Sequence, residues 1–114
     1  NAGHNPAYLR RASGSLEEIA ASGPPLGISG TAHYADRALD LQPGDLLVVY
    51  SDGLTEARDA ADREFGEQRL KEIVARLQGE SAARIGALLL AEADRFLGDA
   101  RPADDLSIVV VARM

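Results

Sequence analysis

The run Asp45-Leu-Leu-Val-Val-Tyr-Ser-Asp-Gly-Leu-Thr-Glu56 constrains the fold more than any other segment of the chain. An apolar, β-type stretch, Leu46 to Tyr50, stops abruptly at Ser51-Asp52-Gly53. A carboxylate at the tip of a buried strand is costly unless something cationic meets it. A second acidic pair, Asp104-Asp105, immediately precedes another apolar run, Leu106 to Ala112. Two strands, each with an acid at one end, can bring those acids to one edge of a sheet. Oxygen-only sites of that kind take hard ions such as Mg2+ or Mn2+. The pattern therefore points to metal chemistry on phosphate.

The 114 residues fit one domain with a modest core. The net charge is −6 and aromatic residues are few, which argues against a nucleic-acid surface, since that footprint is basic. There is no Cys, so disulfides and Cys-ligated zinc are excluded. No apolar run approaches the roughly 18 residues of a membrane span. The start, Asn1-Ala-Gly-His-Asn-Pro6, lacks the basic-then-apolar order of a signal peptide. The expected setting is soluble and cytoplasmic.

Short strands are predicted over residues 7–11, 16–20, 33–41 and 46–50. Gln42-Pro43-Gly44-Asp45 has Pro and Gly where a type II turn wants them, so 33–41 and 46–50 are expected to form a hairpin. Ser22 to Gly30 reads as loop and residues 54–63 as polar surface loop. Leu70, Ile73, Val74 and Leu77 then fall on one helical face. Ile85, Leu88, Leu89, Phe96 and Leu97 form the stripe of a second helix, with Ser81 as its cap and Gly98 as its stop. The last strand, 106–113, is apolar at every position from Ile108 to Val111, which predicts cover on both faces. Strands and helices are segregated, so the fold class is α+β with a mostly antiparallel sheet.

Asp52 reads as a metal ligand at a strand end, with Gly53 letting the backbone turn close to the ion. Ser-Asp-Gly equally suits a plain strand-terminating turn. Adjacent residues in extended chain point to opposite sides, so one of Asp104 and Asp105 at most shares a metal with Asp52. The pair equally suits a solvated helix-to-strand loop. His4 reads as a loop residue with a backbone hydrogen bond, and His33 has no partner pattern. Ser51 lacks the Gly-x-Ser-x-Gly elbow of a nucleophile. Gly23 to Gly27 lacks the Lys-Ser/Thr of a phosphate loop.

Taken together and in order, these segments resemble the metal-dependent protein phosphatases (the PPM, or 2C, family), in particular the SpoIIE/RsbU branch. The resemblance is carried by Asn1-Ala-Gly-His-Asn-Pro6, Pro25-Leu-Gly-Ile28, residues 41–57, Phe65-Gly66 with Arg69-Leu70, and Asp104-Asp105-Leu-Ser-Ile-Val-Val-Val111. It implies a sandwich of two antiparallel β-sheets flanked by helices, with a binuclear Mn2+ or Mg2+ centre between the sheets. It implies a serine/threonine protein phosphatase in which a metal-bound water attacks phosphoserine or phosphothreonine. Mapped onto this chain, Asp52 and Asp104 are metal ligands that act in catalysis through the ion, and Gly53 adjoins it. The substrates the branch implies are phosphorylated anti-sigma-factor antagonists in partner-switching pathways.

The family's first half carries an Asp-x-Ser-Gly-His-Gly-like motif whose Asp bridges both metals. Residues 1–35 contain no Asp. Residues 1–114 are therefore expected to be the C-terminal half of a phosphatase domain, inactive alone, weak in metal binding and prone to self-association through exposed apolar surface. The alternative expectation is a non-catalytic, phosphatase-like regulatory module that needs no metal.

Overall fold

Four apolar stretches of the chain pair into one sheet, seen in a computed structural model that describes residues 1–114. The strands are β1 (Ala7–Arg10), β2 (Leu16–Ile19), β3 (Leu46–Tyr50) and β4 (Ile108–Ala112). Their order is β2-β1-β3-β4 and every pairing is antiparallel. Between β3 and β4 lie a single-turn helix α1 (Asp52–Thr55), then α2 (Glu67–Arg76) and α3 (Ala82–Leu97). The α+β reading of the sequence holds.

Register decides which side chains face the helices. Tyr8, Val48 and Val110 stand in one row across the sheet, and Arg10, Leu46 and Ala112 in another. On this face Tyr8, Leu46, Val48 and Tyr50 meet Leu70 and Val74 of α2 and Ile85, Leu89, Ala93 and Leu97 of α3 in one buried cluster. Burying a Leu, Ile or Val side chain is worth about 1.5–3 kcal/mol. The cap of α3, Ser81 Oγ accepting from the Arg84 N–H at 3.2 Å, is worth about 1 kcal/mol. Packing, not capping, therefore holds α3 in place. The Phe65 and Phe96 rings meet edge to face at 5.5 Å, and the Arg69 guanidinium lies over Phe96 at 4.4 Å. The start of α2 is thereby fastened to the end of α3.

Three expectations are corrected. Residues 33–41 form no strand. The turn before β3 does form, with Gly44 at φ 88° and the Asp45 N–H donating to the Gln42 carbonyl at 2.9 Å. But β3 is flanked by β1 and β4, so neither of its edges is free for 33–41. Leu54 and Thr55, read as the start of a surface loop, are helical and belong to α1, because Leu54, Thr55 and Ala57 are buried under the sheet end. A four-residue helix has no stability of its own. Finally, β4 is covered on one face only. Val109 and Val111 are 58% and 42% exposed on the face away from the helices. The expected exposure of apolar surface is present there.

Asp45 ties the far end of the sheet together. It is 2% exposed and accepts from Arg11 Nη1 at 2.8 Å, the Ala12 N–H at 2.8 Å and the Gln42 N–H at 3.0 Å. The Gln42 N–H, the Arg11 guanidinium and the Ala12 N–H hold its pKa down to about 2, from 3.8. A carboxyl whose folded pKa is depressed stabilises the fold above its unfolded pKa and loses that contribution as pH falls through the folded value. The stability gap between wild type and Asp45→Asn should therefore be constant at neutral pH and shrink between about pH 4 and about pH 2. Acid melts of both proteins check this, and a gap independent of pH contradicts it.

Candidate metal centre

The β3–α1 turn and the loop entering β4 are locked together at one edge of the sheet. The Ser51 N–H donates to the Ser107 carbonyl at 2.9 Å. The Ser51 hydroxyl accepts from the Ser107 N–H at 2.9 Å and donates to the Asp105 carbonyl at 3.4 Å. These bonds continue the β3–β4 ladder by one step past Tyr50 and Ile108.

Gly53 sits at the tightest point of that lock. A Cβ placed on it would lie 2.1 Å from the Asp105 carbonyl oxygen and 2.9 Å from the carbonyl carbon. No side chain fits there. The close approach that Gly53 permits within this chain is that of the Asp105 backbone. Gly53 and Asp104 also line one cavity of about 190 Å3, together with Glu56 and Glu64. Glu64 is paired with Arg58.

Asp52 is the first residue of α1 and is exposed. Its carbonyl accepts from the Glu56 N–H at 2.8 Å and from Thr55 Oγ1 at 3.4 Å. Its carboxylate serves no structural bond or ion pair. Asp104 is exposed as well, and its Oδ1 accepts from the Asp105 N–H at 2.7 Å. Gly53 and Asp104 thus share a cavity wall, and Asp52 adjoins Gly53 outside that wall. Both acids are hard oxygen donors of the kind Mg2+ and Mn2+ take, so they fit such an ion in chemistry. They fall short in number, and no group of three or more His, Cys, Asp or Glu residues is gathered to hold an ion.

The other candidates behave structurally. His4 is exposed, with Nδ1 3.1 Å from the Asn5 carbonyl. His33 is exposed. Ser51 acts as the tie between β3 and β4, a role the sequence reading missed; its signal is a hydroxyl residue directly after one strand and another, Ser107, directly before its partner. No helix is long and apolar enough to cross a membrane.

Known proteins share both the sequence and the shape. The family model described as Stage II sporulation protein E (SpoIIE) matches residues 1–114. Protein IcfG of Synechocystis sp. is 35% identical over 72 residues, 63% of this chain and 11% of that protein. The RsbU and RsbW domains of Rv1364c from Mycobacterium tuberculosis superpose with a TM-score of 0.77 at 25% identity, over 100% of this chain and 33% of that one. The phosphatase domain of SpoIIE from Bacillus subtilis, in a crystal form without domain swapping, gives 0.68 at 26% identity, over 96% and 46%. The SiaA-PP2C domain of Pseudomonas aeruginosa gives 0.76 over 99% and 44%; at 18% identity it speaks for the fold alone. This chain spans less than half the length of each of these relatives. With the sheet, its flanking helices and a family match along its whole length, the chain belongs to the SpoIIE family, the SpoIIE/RsbU-like branch of PP2C-type phosphatase domains.

Proposed function

We propose that residues 1–114 are the C-terminal half of a metal-dependent serine/threonine protein phosphatase domain, in which Asp52 and Asp104 hold a Mn2+ or Mg2+ centre. The observation that carries this reading is the lock at the sheet edge. Gly53 against the Asp105 carbonyl and Ser51 against Ser107 hold the Asp52 turn and the Asp104 loop together; the Asp52 carboxylate has no bond of its own, and Asp104 spends one oxygen on the Asp105 N–H. A metal site needs carboxylate oxygens left free on elements that are held in place.

When bound, the ion supplies activation of water and neutralisation of charge on phosphoryl oxygens. The chain's own residues have simpler tasks. Asp52 and Asp104 present oxygen donors. Gly53 keeps the two segments in contact, and its backbone would leave room for the ion. Ser51 and Ser107 set the height of the Asp104 loop against the turn. The open face bearing Val109 and Val111 takes the remaining half of the sandwich, which brings further ligands and removes the surface that favours self-association. The substrate is a phosphorylated protein, with an anti-sigma-factor antagonist as the family's example. A SpoIIE phosphatase domain structure from Bacillus subtilis presoaked with Mn adds support for the ion.

The small donor set favours one competing reading, a phosphatase-like regulatory module that needs no metal. Phosphate release from a phosphoserine protein by the full-length protein decides between them. Release that requires Mn2+ or Mg2+ and stops with chelator is the expected result. No release at any metal concentration favours the module.

A further inference from the structure

Helix α3 buries Ile85, Leu89, Ala93 and Leu97 in the core against the sheet. On the opposite side of the helix, Ala83, Ala87, Leu90 and Ala91 are all exposed, Leu90 by 47%. From Ala82 to Ala91 the only charged residue is Arg84. The solvent face of a surface helix is normally polar, and a helix that is apolar all round is one covered on every side. The sheet covers one side of α3, and the other stays open. This open side is not the exposed sheet face at Val109 and Val111, which points away from the helices. A second layer laid on the sheet there leaves the outer face of α3 uncovered.

The charges at the two ends of this face run against the helix that carries them. Arg84 lies in the first turn of α3 and Asp94 in the last. The helix dipole favours the reverse, an acid at the start and a cation at the end. Both side chains are exposed, and neither joins any ion pair of the chain. Ten residues of helix, about 15 Å, keep them out of each other's reach. An antiparallel second copy of α3 meets both needs. When two such helices cross midway between Ala87 and Ala91, each Arg84 comes level with Asp94 of the second copy. The small side chains at 83, 87 and 91 let the axes approach to the usual packing distance of about 8–10 Å. The same patch then serves both copies, so the contact closes at two.

We propose that the outer face of α3 is the contact between two copies of this protein, antiparallel, with Leu90 near its centre and an Arg84–Asp94 pair at each end. The contact depends on neither the metal centre nor the phosphatase reading. One helix pair is small beside a standard interface of about 1,600 Å2, so the dimer is weak and reversible.

Sedimentation velocity of the full-length protein over a concentration series tests this, with thermal melts of every variant alongside. The wild type should pass from monomer to dimer as concentration rises. Leu90→Glu should weaken the dimer by more than about tenfold, the scale of one lost Leu burial. Arg84→Asp and Asp94→Arg should each weaken it severalfold, because each sets like charges opposite one another. The double variant should restore it, since exchanging both charges remakes both pairs. All three positions are exposed, so the melts should stay near that of the wild type. A monomer at every concentration, a dimer indifferent to Leu90→Glu, or a double variant no better than the single ones overturns the proposal. A lower melting temperature in Leu90→Glu with association unchanged also overturns it, and makes a further segment of the same chain the cover.

Discussion

Asp52→Asn is expected to lower metal-dependent phosphate release by the full-length protein by more than about a hundredfold, with the fold untouched. Losing a partner one shell removed from a metal already costs about 10–100-fold, and a ligand lost from the ion itself costs at least as much. The stability side follows from what Asp52 does in the fold. Its backbone carbonyl closes α1, but its carboxylate is exposed and holds no bond or ion pair. Asn keeps the same shape, so the change in stability should stay within about 0.5 kcal/mol. Paired assays of phosphate release and urea melts check both halves. Near-normal turnover in the variant removes Asp52 from the metal centre. A large loss of stability makes it a structural residue instead.

Gly53→Ala should harm both activity and stability. The added methyl carbon would sit 2.1 Å from the Asp105 carbonyl oxygen, so the turn and the Asp104 loop must separate. Overpacking of this kind costs about 1–3 kcal/mol, and here the obstacle is backbone, which cannot swing aside as a side chain can. A loss of about 3 kcal/mol is expected, which lowers the melting temperature by on the order of 10 °C for a domain of this size. A misplacement of about 1 Å at a reacting site costs around a hundredfold in rate. The variant that remains folded at low temperature should therefore still be slow. Normal activity and stability in Gly53→Ala would mean that the turn and the loop are not held as tightly as their contact implies.

The elements that the sequence made legible are those set by local periodicity and turn chemistry. The stripes of α2 and α3, the Ser81 cap and the turn at Pro43-Gly44 each depend on residues within a few positions of one another. What stayed hidden depends on distant partners. Residues 33–41 alternate well enough for a strand, but a strand needs a free edge, and β1 and β4 occupy both sides of β3. Helix α1 exists because Leu54 is buried, which its polar neighbours conceal. The run Ile108 to Val111 is apolar on both faces although this chain covers one of them, so the pattern alone overstated the cover.

The acids divide in the same way. Asp52 and Asp104 stand out because each abuts an apolar run. Asp45 abuts the same run as Asp52, yet its partners Arg11 and Ala12 come from the β1–β2 turn, more than 30 residues away. It is structural, and only the fold reveals that. Arg10 looks like the polar end of a strand until the sheet rows place it beside Leu46 and Ala112.

The most direct measurement is the melting temperature of the full-length protein with and without Mn2+, beside Asp52→Asn and Asp104→Asn. An ion that binds only the folded state at a hundred times its dissociation constant adds about 2.7 kcal/mol. A clear Mn2+-dependent rise in the wild type, lost in both variants, is the result expected if these two carboxylates hold the metal. An equal rise in all three proteins would contradict it.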